Sequence, residues 1–87
     1  MNIIDLHLDK RINKTDYPLE MQLSILEKEI DMSIVSGVSE LRVIHGIGSG
    51  VLKNEVHRIL SNHDNVLYYC NEYHPSYGNG STIIIFK

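Results

Sequence analysis

The 87-residue sequence lacks several features that would point to particular classes of protein. It has one cysteine, Cys70, so no disulfide can form within the chain, and it has no tryptophan. Cys70 lies in an apolar segment, which favours a small core or sheet residue over a nucleophile. No apolar run approaches the roughly 18 residues of a membrane span, and the first residues lack the basic start of a secretory signal. We therefore expect a cytoplasmic protein that does not enter a membrane.

Positive charge is also scarce. Eight Lys and Arg against eleven Asp and Glu give a formal net charge of -3, which is not typical of a protein that holds nucleic acid by charge alone. Acidic residues are concentrated from Glu20 to Asp31, whereas Lys10, Arg11 and Lys14 form a small basic cluster. That cluster is either a basic rim beside a binding site or an ordinary solvated loop.

The composition that remains is that of a single globular domain. With 43% hydrophobic and 22% charged residues, the chain can bury one modest core and is too short for two. No internal repeat, low-complexity tract or linker interrupts it. Residues 1–87 are therefore predicted to form one domain.

The first predicted element is a strand over residues 2–8. The two-residue period places apolar side chains on one face and Asp5 and His7 together on the other. The apolar face carries Ile4, Leu6 and Leu8. A carboxylate beside an imidazole can fix its tautomer and raise its basicity, as in a general base. The alternative is a partly exposed strand face that carries two polar residues.

A long helix is predicted from Pro18 to Ser36, after a loop at residues 9–17. Asp16 is a candidate cap, Pro18 suits the first helical turn, and Gly37 suits a left-handed cap at the end. Apolar residues recur at steps of three and four, which indicates one stripe that packs on a sheet. The stripe comprises Leu19, Leu23, Leu26, Ile30 and Ile34, widened by Met21, Ile25 and Met32.

A second strand, at residues 41–45, leads into a glycine-rich turn at residues 45–50 and a helix from Gly50 or Val51 to Asn62. Glycine takes positive φ without a steric penalty and lets a ligand approach the backbone closely. The first amides of the helix lack partners and lie at the positive end of its dipole. This pattern indicates an anion-binding turn with His45 at its entrance and Lys53 adding charge. A plain strand-to-helix turn is the alternative.

Strand, helix and strand form a right-handed crossover unit with parallel strands. In open α/β sheets, ligands bind outside the carboxyl ends of such strands, where both Asp5–His7 and His45 fall. If the two strands are neighbours, His7 and His45 can reach one common site. His57, on the second helix, is interpreted as a half-buried flank.

Two further strands are predicted at residues 65–72 and 81–87. The loop between them, at residues 73–80, is longer than a tight hairpin needs, and Tyr73 or Tyr77 could stack on a base there. Packing within the loop is the alternative. The elements together predict a two-layer α/β sandwich, β-α-β-α-β-β, with a mixed four-stranded sheet and both helices on one face. Asp5 and His7 then point to the open face.

With these elements in place, the chain resembles the Smr (small MutS-related) domain family. Residues 4–8, Ile-Asp-Leu-His-Leu, match the first family motif, Leu-Asp-Leu-His-Gly. Residues 45–50, His-Gly-Ile-Gly-Ser-Gly, match the second, and residues 78–82, Gly-Asn-Gly-Ser-Thr, match the third. The order and spacing agree over essentially the whole chain. Leu8 departs from the family glycine, and a side chain there narrows the approach to a phosphate.

The resemblance implies a fold similar to the C-terminal domain of bacterial translation initiation factor three and an association with nucleic acids. Members resemble nucleases that nick branched DNA or cleave RNA, including messenger RNA at stalled ribosomes. The domain is usually the last segment of a longer protein. The implied partners are therefore DNA or RNA, in some members at the ribosome, with further domains attached before residue 1.

The three motifs and the ends of the predicted strands identify the candidate site residues. The candidate catalytic residues are Asp5, His7 and His45. The candidate nucleic-acid or phosphate contacts are Gly46, Gly48, Ser49, Gly50, Lys53, Lys10, Arg11, Tyr77, Gly78 and Gly80. No cluster of carboxylates suggests a two-metal site, so no metal ligands and no tightly bound cofactor are predicted, and dependence on a divalent metal is left open.

Three functions are compatible with this pattern. The first is a phosphodiesterase that cleaves RNA or structured DNA, with the turn amides on the scissile phosphate and the histidines as acid and base. The second is a non-catalytic module that docks a larger protein on nucleic acid or the ribosome, which Leu8 favours. The third is a protein interaction domain that uses the open sheet face, which the negative net charge favours.

Overall fold

A computed structural model describes residues 2–6, 18–46, 50–75 and 78–87. Several sequence predictions lie outside the described residues. They concern the predicted loop at residues 9–17 and the individual residues His7, Leu8, Lys10, Arg11, Gly48, Ser49 and Tyr77.

The strands and helices follow one another along the chain in the predicted order. They are β1 (Asn2–Asp5), α1 (Pro18–Val35), β2 (Glu40–Ile44), α2 (Val51–Ser61), β3 (Val66–His74) and β4 (Gly78–Phe86). Leu6, just after β1, still donates its amide to the carbonyl oxygen of Ile44 at 2.9 Å. Of the helices in the described part, none is long and apolar enough to cross a membrane.

The four strands form one mixed sheet in the order β1-β2-β4-β3. β1 and β2 are parallel neighbours, and β4 runs antiparallel to both β2 and β3. The predicted mixed sheet with a parallel crossover unit is therefore confirmed, and the two parallel strands are direct neighbours.

Both helices share one core with one face of the sheet. α1 contributes Leu26 and Ile30, and α2 contributes Val56 and Leu60. The sheet contributes alternate residues, since Ile4, Leu41, Val43 and Ile84 belong to the same buried cluster. Burial of each of these side chains stabilises the fold by about 1.5–3 kcal/mol. The predicted two-layer sandwich with both helices on one face is confirmed.

The end of α1 is closed by the predicted glycine cap. Gly37 has φ 72°. Its amide donates to the carbonyl of Ile34 at 3.1 Å, and the amide of Val38 donates to the carbonyl of Ser33 at 2.9 Å. This pair of bonds is the Schellman arrangement, which satisfies carbonyls left open at a helix end.

The apolar stripe of α1 is narrower than predicted. Leu26 and Ile30 are fully buried, but Met21 is 38% exposed and Met32 is 53% exposed. The prediction that these two methionines widen the buried stripe is wrong, because both side chains are exposed.

The predicted loop at residues 73–80 is largely paired strand. β3 and β4 pair as far as His74 opposite Gly78, and a register shift between Glu72 and His74 accommodates the change. Only residues 75–77 separate the two strands, and Gly78 supplies a left-handed conformation with φ 56° where the chain turns back. The prediction of a long loop is therefore wrong, and Gly78 and Gly80 are strand residues.

Candidate functional site

The glycine turn is anchored on β4 where it leaves β2. The amides of His45 and Gly46 both donate to the carbonyl of Gly80, each at 2.9 Å. Gly46 has φ 76°, a conformation that glycine takes without strain. The amide of Gly46 is thus already used within the protein. The prediction that this amide donates to a phosphate is therefore not retained. In the part of this region that the structure describes, the remaining candidate amides begin at Gly50.

His45 is buried although it is polar, with 4% of its surface exposed. Its Nδ1 lies 2.8 Å from the carbonyl oxygen of Gly46, and its Nε2 lies 2.9 Å from the hydroxyl oxygen of Thr82. A carbonyl only accepts, so Nδ1 carries the proton and donates to Gly46. In the neutral ring, Nε2 is then an acceptor, and the hydroxyl of Thr82 donates to it.

The electrostatic environment keeps the His45 ring neutral. Burial lowers the pKa of His45 below its ordinary value, and this effect exceeds the opposing effect of the hydrogen bond to the Gly46 carbonyl. Repulsion from His57 when that ring is protonated, and from Lys53, lowers the pKa further. Both ring nitrogens are therefore occupied within the protein when the pH is near neutral.

His57 extends the same set of hydrogen bonds from α2. Its Nε2 lies 3.0 Å from the Thr82 hydroxyl oxygen. Because Thr82 has one hydroxyl proton and gives it to His45, His57 must donate through Nε2. The resulting hydrogen-bond chain runs from His57 to Thr82, from Thr82 to His45, and from His45 to the Gly46 carbonyl.

The surroundings of His57 favour this neutral donor. Burial, and then the charge of Lys53, lower the pKa of His57, against a hydrogen bond with Asn71 that raises it. The ring also packs on Tyr69, with 4.9 Å between the ring centroids, and meets His45 edge-on at 6.2 Å. His57 is thus positioned by contacts with two strands as well as by its own helix.

The beginning of α2 has the properties predicted for an anion site. Gly50 is the N-cap residue with φ 87°, and no side chain caps the helix by a hydrogen bond. The first helical amides therefore point out of the helix without an internal acceptor, at the positive end of the dipole. Lys53 lies close enough to act electrostatically on both imidazoles. The partial positive charge of the helix end and the charge of Lys53 therefore lie at the same end of α2.

Asp5 is not on the same side of the sheet as His45. Asp5 pairs with Ile44 in the register of β1 and β2, whereas the preceding Ile4 pairs with the buried Val43. Successive residues alternate between faces, so Asp5 lies on the face away from the helices and His45 on the helix face. The two residues meet at the same end of neighbouring parallel strands, as predicted, but on opposite faces.

Two residues of the site, Thr82 and His57, were not among the candidate site residues predicted from the sequence. Thr82 lies two and four residues before Ile84 and Phe86 in β4, so its side chain is on the same, buried face. His57 lies four residues after Lys53, on the same side of α2. No three His, Cys, Asp or Glu side chains converge as a metal-binding group within residues 2–6, 18–46, 50–75 and 78–87.

Acid is expected to destabilise the fold through these two histidines. Their pKa values are lowered in the folded state, so the unfolded chain takes up protons first as the pH falls through about 6.5. Stability is then fully present above about pH 6.5 and is lost between that value and the lowered folded-state pKa, at no more than about 1.4 kcal/mol per pH unit for His45. Urea denaturation at several pH values measures the slope.

The matched variant for this measurement is His45→Gln. It should show a shallower fall of the free energy of unfolding between about pH 6.5 and 5.5 than the wild-type chain. An identical pH profile in the two proteins would show that His45 is not held neutral in the fold.

Comparison with known proteins agrees with this fold. The Smr domain family model matches residues 16–87, and the chain belongs to that family. It is 34% identical over 82 residues to Endonuclease MutS2 of Aquifex aeolicus, covering 92% of this chain and 11% of that protein. It is 35% identical over 71 residues to Endonuclease MutS2 of Solidesulfovibrio magneticus, covering 77% and 9%. The chain thus spans about a tenth of the length of these relatives.

Two solved structures share the fold. The Smr domain of Thermus thermophilus MutS2 superposes with a TM-score of 0.79 at 21% identity, covering 100% of this chain and 99% of that one. YdaL, a stand-alone small MutS-related protein from Escherichia coli, superposes with a TM-score of 0.78 at 21% identity, covering 98% and 63%. The predicted family and fold class are confirmed.

Proposed function

We propose that this chain is an endonuclease domain that cleaves phosphodiester bonds in RNA or in structured DNA. The observation that carries the proposal is the uncapped N-terminus of α2, which lies beside the buried His45 and is reinforced by Lys53. Such a site stabilises negative charge, which builds on phosphate oxygens during cleavage. Relatives named as endonucleases share the family and support the same reaction class.

The proposed division of labour separates proton transfer from phosphate binding. His7, oriented by Asp5, is the proposed acid or base. Both nitrogens of the neutral His45 are occupied, which supports a role in holding the turn over a role in proton transfer. The phosphate is held by amides from Gly50 onward.

Further residues are proposed to contact the nucleic acid around this site. The remaining phosphate and base contacts are proposed for Lys53, Lys10, Arg11, Gly48, Ser49, Tyr77, Gly78 and Gly80. With a net charge of -3, attraction for a polyanion has to come from such a local concentration of donors. Binding is therefore expected to weaken as salt is raised, since each phosphate contact releases counterions.

A panel of substrates tests the proposal. The purified chain is incubated with single-stranded RNA, duplex DNA, branched DNA and ribosomes, each with and without a chelator. Cleavage of RNA but not of its 2′-deoxy equivalent would indicate attack by the 2′-hydroxyl, and loss of cleavage with chelator would indicate a required metal. Absence of cleavage and of binding on every substrate would contradict the proposal.

Binding without cleavage would support a second function, a docking module on nucleic acid. The sequence feature that favours it is Leu8, which stands where the family motif has glycine. We propose that a side chain at this position hinders approach of a phosphate to the backbone. In that case the site at α2 still binds phosphate, and the chemistry belongs to another part of a longer protein.

Two glycines provide a matched test of the turn. Gly50 and Gly37 both have positive φ, and an added Cβ would meet nothing within 4 Å at either position. Alanine at each should therefore lower the free energy of unfolding by a similar amount, about 1–2 kcal/mol. Only Gly50→Ala should weaken nucleic-acid binding, because only Gly50 lies at the proposed phosphate site. Urea denaturation and fluorescence anisotropy measure the two effects, and equal affinities for the two variants would argue against a phosphate at this turn.

A further inference from the structure

We infer that Thr82 and His57 are positioning residues, which lock the His45 ring and, through it, the first peptide of the glycine turn. The hydrogen bonds themselves do not depend on the proposed function. Their consequence for nucleic acid rests on the proposed endonuclease site, because the turn that they hold leads into the N-terminus of α2.

The direction of each hydrogen bond in the chain is determined. The Gly46 carbonyl can only accept, so His45 presents a proton on Nδ1 and a lone pair on Nε2. Thr82 donates its single hydroxyl proton to that lone pair, and His57 donates its Nε2 proton to the hydroxyl oxygen of Thr82. Rotation of the His45 ring would break two of these bonds at once. The chain therefore fixes both the tautomer and the orientation of the ring.

The position of Thr82 makes its hydroxyl the central link. Thr82 is fully buried on the helix face of β4, where Val43 is its partner in β2. Burying a hydroxyl is unfavourable unless hydrogen bonds compensate, and here it has one imidazole on each side. Valine would fill the same space without this cost, so the hydroxyl and the shape of the side chain can be tested separately.

The contacts of the glycine turn connect this chain to the proposed site. The Gly46 carbonyl is held by the His45 ring, while the amides of His45 and Gly46 are held by Gly80 of β4. Gly46 is thus held at both its amide and its carbonyl, and Gly50, the N-cap residue of α2, follows only four residues later. Loss of the His45 restraint would let the turn and the first helical amides move relative to a bound phosphate.

Two substitutions at position 82 separate positioning from packing. Thr82→Val keeps the shape and removes the hydroxyl, whereas Thr82→Ser keeps the hydroxyl and removes a methyl group. If Thr82 positions His45, Thr82→Val should weaken nucleic-acid binding about fivefold, the equivalent of one neutral hydrogen bond, and Thr82→Ser should bind as the wild type does. If Thr82 only packs, Thr82→Ser should be the more impaired variant.

Imidazole ¹H–¹⁵N NMR reads the positioning directly and without nucleic acid. The wild-type His45 should show the Nδ1–H tautomer with a slowly exchanging proton. Thr82→Val should lose that protection, and Thr82→Ser should retain it. A wild-type Nε2–H tautomer, or a His45 signal unchanged by Thr82→Val, would overturn the inference.

Ser81→Ala is the matched control. Ser81 is also fully buried on β4, but its hydroxyl donates to the Glu72 carbonyl at 2.7 Å and it pairs with Ile44 on the opposite face. Its removal should leave the His45 signals unchanged. Altered His45 signals in this variant would show a general response of β4 and would overturn the assignment to Thr82.

The contribution of His57 is tested by combining substitutions. His57→Phe keeps the ring contact with Tyr69 and removes the donor to Thr82. Alone, this substitution should lower the exchange protection of the His45 ring proton. Combined with Thr82→Val, it should cause no further change, because the two residues act through one hydrogen-bond chain. Additive effects would contradict a single chain. If the wild-type chain binds no nucleic acid, the proposed function fails, while the NMR outcomes still decide the positioning role.

Discussion

Ile30→Ala is expected to lower the free energy of unfolding by about 2–5 kcal/mol, the range for truncating a buried isoleucine. Ile30 is fully buried in the core that α1 shares with the sheet. The loss combines the transfer energy of the removed carbons with the cavity that they leave. For a domain of this length, whose total stability is of order 4–13 kcal/mol, this is a large fraction. Denaturation in urea, with the slope of the transition compared between variants, measures it.

Met32→Ala is the matched control on the same helix. Met32 lies two residues after Ile30, about 200° around the helix axis, and is 53% exposed. Its truncation should change the free energy of unfolding by less than about 0.5 kcal/mol. Comparable losses for the two variants would place Met32 in the core and would contradict the described orientation of α1.

His7→Ala is expected to reduce the rate of phosphodiester cleavage by about 10²–10⁴-fold, the usual contribution of a general acid or base. The matched control is His63→Ala, because His63 follows α2 and its Nδ1 accepts a hydrogen bond from the Asn65 amide at 3.2 Å. His63→Ala should retain the wild-type rate. Single-turnover kinetics with saturating protein separates the chemical step from binding.

His45→Ala should impair both cleavage and stability. It removes the partner of the Gly46 carbonyl and of the Thr82 hydroxyl, and it leaves a cavity among buried groups. The loss of stability distinguishes it from His7→Ala if His45 holds the turn and His7 transfers the proton. Unchanged cleavage after both His7→Ala and His45→Ala would contradict the assignment of the site.

The order of elements and the layer arrangement could be predicted because they follow from short-range periodicity. The step of three and four in α1 and the alternation in the strands identify one apolar face per element, and a two-layer arrangement buries these faces together. Gly37 could be predicted as a cap for the same local reason, since few other residues adopt its φ without strain.

The extent of the pairing between β3 and β4 could not be predicted in this way. Residues 73–80 contain glycine, proline, asparagine and serine, which are typical of loops, and nothing local indicates pairing. Pairing of Glu72 with Ser81 brings the two strands together, and after a register shift the pairing continues to His74 opposite Gly78. Long-range pairing overrides the local preference here.

The candidate site was predictable in part. His45 could be placed at the end of a strand, and its parity with Leu41 and Val43 was a signal that it faces the helices. The partnership with Thr82 and His57 depends on how α2 docks against the sheet, which no spacing within the chain specifies. For this reason His57 looked like an ordinary helix flank in the sequence.

Amide chemical-shift mapping shows whether phosphodiester groups bind where the glycine turn meets α2. Short RNA and DNA oligonucleotides are titrated into the ¹⁵N-labelled chain. The largest shifts are expected at the amides of Gly50 to Lys53, with the His45 imidazole also affected. Shifts confined to Tyr68, Cys70 and Ile83, on the sheet face away from the helices, would contradict this expectation.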